Sequence, residues 1–200
     1  PYNFQKASIL TYVIYLIARP VTQLYSTPEK SPITSWAYSI LGQIYVVLPL
    51  ALLGVWGYKS DYQLFMNTEY LLMALFVFVW TNDTGAYIVG CTLGKHRLFE
   101  RISPKKSWEG FFGGLAFCII LASLANHIIP GMLSTAQWIG MGILTSIFST
   151  WGDLCESLLK RTAGVKDSGK ILPGHGGILD RFDSELIASP VIFIYLTFVL

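Results

Sequence analysis

Asp153 stands late in an otherwise apolar stretch, Trp138 to Leu154, and is followed by Ser157 and Lys160 at i+4 and i+7. On a helix these positions share one face, which brings a carboxylate, a hydroxyl and an ammonium group together. A carboxylate at the centre of a membrane helix costs about 2.5 to 3.5 kcal/mol on insertion scales, so Asp153 demands a counter-charge or a bound cation. Beyond it the chain reads Lys160-Arg161-Thr162-Ala163-Gly164-Val165-Lys166-Asp167-Ser168-Gly169-Lys170, then Ile171-Leu172-Pro173-Gly174-His175-Gly176-Gly177-Ile178-Leu179-Asp180-Arg181-Phe182-Asp183. Glycines at this density let backbone amides approach an anion, and the surrounding cations match the charge of a polyphosphate. Asp180 and Asp183 are placed one turn apart at the start of the next apolar run. Magnesium takes oxygen ligands, typically one or two carboxylates completed by water and substrate phosphates. Asp153 with Asp180 therefore suffices as its protein share if the two helix ends meet, and a second cation is compatible with the number of acids.

A second constellation lies upstream. Trp80, Asp83, Tyr87 and Gly90 recur at helical spacing, and after them comes Ser103-Pro104-Lys105-Lys106-Ser107-Trp108-Glu109-Gly110. Adjacent lysines can bind phosphate, and Trp108 suits a membrane interface. The bland alternatives are a topology signal for the lysines and a helix-packing polar residue for Asp83. His175, flanked by glycines, could donate to a phosphate or orient a carboxylate; His96 and His127 add little.

Two local matches are rejected. Gly164 to Lys170 fits the opening of a phosphate-binding GxxxxGK loop, but Ile171 replaces the metal-binding hydroxyl and no strand precedes it. Ser157 to Lys160 fits SxxK without the partner motifs that give that tetrad meaning. Cys91, Cys118 and Cys155 form no CxxC pair and are read as packing residues.

The elements that must position these groups are membrane helices. Apolar residues make up 53% of the 200 and charged residues only 13%, about half the share of a soluble domain. Mean hydropathy is +0.53, and the net charge of +2 gives no case for nucleic-acid binding. Stretches long enough to span a bilayer run from Ser35 to Tyr58, Tyr70 to Gly90, Phe111 to Ile129, Ala136 to Leu159 and Leu186 to Leu200, with Ala7 to Ala18 as part of a sixth. The expected fold is all-α: a polytopic helical membrane protein of five to six spans, with Pro49 kinking the first full one, as membrane helices tolerate. Residues 1–200 read as one transmembrane catalytic domain lacking N-terminal spans, since the chain opens without Met and closes inside an apolar run. The segments 91–109 and 160–185 are strongly basic and separated by two crossings. Parity puts them on one side, and the positive-inside rule makes that side cytoplasmic.

The run Ser157-x-x-Lys160-Arg161-x4-Lys166-Asp167-x4-Leu172-Pro173-x-His175-Gly176-Gly177-x-x-Asp180-Arg181-x-Asp183 resembles the signature of the phosphatidate cytidylyltransferases, or CDP-diacylglycerol synthases. The Ser103 to Gly110 segment resembles a second motif of that family. The resemblance implies transfer of CMP from CTP to phosphatidate, giving CDP-diacylglycerol and pyrophosphate, in a homodimer of the bacterial inner membrane. It matches the family's metal-binding aspartates to Asp153 and Asp180. On this reading Lys160, Arg161, Lys166 and Arg181 hold phosphates, and Lys105 and Lys106 take nucleotide or lipid headgroup. Asp83, Ser103, Ser157, Asp167, His175, Gly176, Gly177 and Asp183 support substrate binding. Two alternatives stay open: a CTP-dependent lipid kinase and an ion-coupled transporter using the intramembrane acids.

Overall fold

The computed structural model describes residues 2–25, 31–57, 68–171 and 176–200. His175 and the charges Lys59 and Asp61 lie outside the described residues. The chain divides into two compact units, Pro1–Val47 and Leu48–Leu200.

The first unit contains α1 (Tyr2–Leu24) and α2 (Pro32–Gly42), followed by a π-helical turn over Gln43–Val47. Arg19 Nε donates to Ser39 Oγ at 3.1 Å and so ties α1 to α2. The wide turn ends two residues before Pro49, where a kink is expected because proline removes a donor that a regular helix needs.

The second unit carries the candidate chemistry. Its elements are α3 (Leu48–Gly57), α4 (Thr68–Leu93), β1 (Arg97–Phe99), β2 (Ser103–Ser107), α5 (Trp108–Ile128), α6 (Thr135–Thr162), the single turn α7 (Leu179–Phe182) and α8 (Glu185–Val199). Among the described residues of the chain, four stretches are long and apolar enough to cross a membrane: Pro32–Gly54, Glu69–Leu93, Trp108–Ile128 and Leu179–Val199. The helix α6 has 28 residues, about 42 Å at 1.5 Å per residue, but falls short in apolarity. The cause is its position. It packs on α4, α5 and α8, so Thr145, Ser146, Ser149 and Thr150 are buried against protein.

Helix α4 lies tightly along α5 because small residues let the backbones approach. Any side chain added at Gly85 would strike Phe117, at Gly113 Val89, and at Gly114 Asn82. Leu71, Leu75 and Phe78 of α4, Cys118 and Ala122 of α5, Trp138 and Met141 of α6, and Ile192 and Leu196 of α8 form the core. In a bilayer such packing works by van der Waals contact rather than by exclusion of water.

The ends of α5 and α6 are locally specified. Ser107 caps α5 by accepting from Gly110 N at 3.1 Å. Ser134 and Gln137 form a reciprocal capping box at the start of α6. Gly164, at φ +71°, follows the last turn of α6. It is a helix-ending glycine, which disposes of the GxxxxGK match in structural terms.

The basic segment 91–109 holds a feature that the sequence reading did not anticipate, an antiparallel hairpin of β1 and β2. It is fastened to α5 at its base: Trp108 N donates to His96 O at 2.9 Å, and His96 Nδ1 lies 2.6 Å from Glu109 Oε1.

Candidate active site

Asn82 lies deep beneath the site and holds α4 to α6. Its Nδ2 donates to Ser149 Oγ at 3.2 Å and Thr150 Oγ1 at 3.3 Å, and its Oδ1 accepts from Ser146 Oγ at 2.6 Å. A buried amide satisfied on both sides fixes one rotation of α4 against α6. That rotation points Asp83, the next residue, into a cavity of about 280 Å³ shared with Tyr87, Gly90, Lys105, Lys106, Thr150 and Asp153. Trp80, the remaining member of that helical row, is 66% exposed.

Lys106 and Asp153, from the two separate constellations, meet here: Lys106 Nζ is 2.5 Å from Asp153 Oδ2. Ser157 Oγ donates to Asp153 Oδ1 at 3.2 Å, as the i+4 spacing anticipates. Asp83 is within electrostatic reach of Lys106, Asp153 and Asp183. Lys105 lines the same cavity, while Ser103 pairs with Phe99 in the hairpin.

A second ion-pair centre sits on the next turn of α6. Lys160 Nζ donates to Asp180 Oδ1 at 2.8 Å and to Glu156 Oε2 at 3.1 Å. Burial works against the Lys160 charge, but the hydrogen bonds to Asp180 and Glu156 outweigh it and hold the ammonium above the ordinary lysine range. Asp180 also gathers the glycine-rich loop. It accepts from Ser168 N at 2.9 Å, Ser168 Oγ at 2.8 Å and Gly177 N at 2.7 Å. Gly176, at φ +80°, supplies the left-handed turn this needs, and a Cβ there would come within 2.7 Å of Asp180 Oδ2.

Asp183 lies beside Glu156 and takes Ser184 N at 2.6 Å. Arg161, Lys166, Asp167 and Arg181 are exposed. A Cβ on Gly176 would be 3.6 Å from Asp167 Cβ, so Asp167 also borders the loop.

Glu156 and Asn82 are absent from the set of site residues read from the sequence. Glu156 is 1% exposed, and its Oε1 has no hydrogen-bond partner among the described residues. Its signal was available: it is a second acid within four residues of a largely apolar helix, and it stands at i−4 from Lys160. Asn82 carried no such sign, because a neutral amide in an apolar run acquires meaning only from what it meets.

The donor set suits a hard divalent cation. Asp153 and Asp180 carry the carboxylate oxygens that such an ion takes. Among the described residues no group of three or more His, Cys, Asp or Glu is placed to hold a metal ion. An ion that keeps waters and takes substrate phosphate oxygens asks for only one or two protein carboxylates.

The fold and this centre define a class: a polytopic helical membrane protein with a cation-rich, acid-bearing site at one end of its bundle. The chain belongs to the cytidylyltransferase family, whose model matches residues 2–199. It is 41% identical over 160 residues to the phosphatidate cytidylyltransferase of Staphylococcus aureus (strain COL), covering 80% of this chain and 61% of that protein. The enzyme of the same name from Staphylococcus haemolyticus (strain JCSC1435) is 41% identical over 159 residues, with the same coverage. That from Staphylococcus epidermidis (strain ATCC 12228 / FDA PCI 1200) is 40% identical over 159. The chain thus spans 61% of the length of these relatives.

Proposed function

We propose that this protein transfers CMP from CTP to phosphatidate, giving CDP-diacylglycerol and pyrophosphate. The observation that carries the reading is the pairing of Lys106 with Asp153 and of Lys160 with Asp180. Two ammonium groups are held ready by carboxylates, which can release them to substrate phosphates, beside a loop whose amides are gathered on Asp180.

In the reaction a phosphatidate oxygen attacks the α-phosphorus of CTP, the bond from that phosphorus to the β-phosphate bridge breaks, and pyrophosphate leaves. Such a transfer needs alignment and charge neutralisation more than a protein nucleophile. The 280 Å³ cavity is at the low end for ligand pockets, which run from about 300 Å³ upward. It suits a phosphate-bearing headgroup, held by Lys105 and Lys106, with the nucleotide extending toward the glycine-rich loop. Lys160, Arg161, Lys166 and Arg181 neutralise the triphosphate. Asp153 and Asp180 would hold Mg²⁺. When bound, that ion polarises the α-phosphate and stabilises departing pyrophosphate. Asp83, Ser157, Asp167, His175 and Asp183 orient these groups.

The reading extends to location and assembly: a homodimer in the bacterial inner membrane, with the site facing the cytoplasm, where CTP arrives from water and phosphatidate from the leaflet. The test is full-length purified protein with α-labelled CTP and phosphatidate. Label in lipid together with released pyrophosphate is expected. Release of CDP with a phosphorylated alcohol, the lipid-kinase outcome, would overturn the proposal.

A further inference from the structure

The hairpin segment and α6 line a further cavity, an open one that Lys106 does not border. It measures about 210 Å³ and is lined by Phe99 and Ile102 of the hairpin segment and by Trp151, Leu154, Cys155 and Leu158 of α6. Its wall is almost wholly apolar. The α6 residues recur at helical spacing and cover about 10 Å along the axis at 1.5 Å per residue.

The same two elements line both cavities. Leu98 borders the charged one and Phe99 the apolar one; Asp153 borders the charged one and Leu154 the apolar one. Consecutive residues divide in this way because strand side chains alternate and helix side chains step about 100° per residue. The Lys106–Asp153 pair thus borders the charged cavity, while the residues next to Asp153 and Leu98 in the chain line the apolar groove. A molecule fitting both carries an ionic group at one end and hydrocarbon beside it, as a phosphate-bearing lipid does. Arg97 and Arg101 on the exposed hairpin add attraction for an anionic lipid.

Resting on the proposed use of phosphatidate, we infer that this groove seats an acyl chain of the lipid substrate while Lys105 and Lys106 take its phosphate. The hairpin is then a divider across which the lipid lies, with its reactive oxygen in the charged cavity and its chain against Trp151 and Leu158.

Cys155 lines the groove and is exposed, whereas Cys91 is exposed and outside it, so the protein carries its own probe and its own control. Full-length protein in phosphatidylcholine nanodiscs is treated with N-ethylmaleimide, and alkylation at both thiols is followed by mass spectrometry. Dioleoyl phosphatidate should slow labelling of Cys155 at least about threefold and leave Cys91 unchanged, while glycerol 3-phosphate, which has the headgroup without chains, should protect neither. Equal Cys155 rates with and without saturating phosphatidate would overturn the groove. So would equal protection by added dioleoylglycerol, which would make it a general lipid surface. Turnover is measured on the same sample. Protection without CMP transfer supports the groove while removing the proposed reaction; transfer without protection removes the groove and leaves the reaction standing.

Discussion

Replacing Asp180 with Asn should loosen the glycine-rich loop as well as stop turnover, and the loop effect can be sized from its contacts. Asp180 takes the Lys160 ammonium, the Ser168 and Gly177 amides and the Ser168 hydroxyl, and its side chain is only 7% exposed. An amide of the same shape keeps one acceptor oxygen and turns an NH₂ toward donors. Hydrogen bonds to a charged acceptor contribute about 1.5 to 3 kcal/mol and neutral ones about 0.5 to 1.5. Loss of charge assistance at two backbone amides thus costs about 2 kcal/mol. Lys160 keeps its bond to Glu156 and adds little. At 1.4 kcal/mol per decade the loop should open about 30-fold more often. Hydrogen exchange read by mass spectrometry over peptides containing Ser168 and Gly177 reports that opening directly. Asp153→Asn is the control, since Asp153 touches Lys106 and Ser157 instead. Unchanged exchange in Asp180→Asn, or equal acceleration in Asp153→Asn, would refute Asp180 as the organiser of the loop.

Both variants should lose turnover with CTP and phosphatidate by on the order of 100-fold or more, with Asp153→Asn keeping its unfolding midpoint. Lys106→Ala should raise the KM for phosphatidate more than that for CTP, which steady-state kinetics in mixed micelles would separate. Asn82→Ala removes three interhelical bonds, although the Ser149 and Thr150 hydroxyls keep theirs to Ser146 O. At about 0.6 kcal/mol per interhelical bond in membranes, the loss should be about 2 kcal/mol in detergent unfolding. Gly176→Ala should cost about 1 to 2 kcal/mol for its left-handed backbone, and activity besides, because the new methyl meets Asp180. Gly131→Ala, at φ +81° with open space around it, should pay the backbone cost alone and keep full activity.

Several contacts were legible in the residues because they are local. Ser157 on Asp153 follows from helical spacing, and so does Glu156 on Lys160, though only the first was read. The capping box of Ser134 and the role of Gly164 as a helix end are also properties of a few adjacent residues, but neither was drawn from the sequence. The hairpin was missed because Pro104 and two lysines carry no apolar alternation, and its strands are held by His96 and Glu109 at its base as much as by pairing.

The sequence by itself determined that this is a helical membrane protein with acids and cations concentrated at its basic loops, because apolar length, charge and helical spacing are written along the chain. Only the tertiary structure decided that Lys106 closes on Asp153, that Lys160 reaches Asp180 across the loop, and that Asn82 holds α4 to α6. Those partners stand far apart in the chain, so their meeting depends on helix packing. Helix α6 shows the division most plainly: its buried hydroxyls make it less apolar than its neighbours, and their tolerance follows from the helices that surround it.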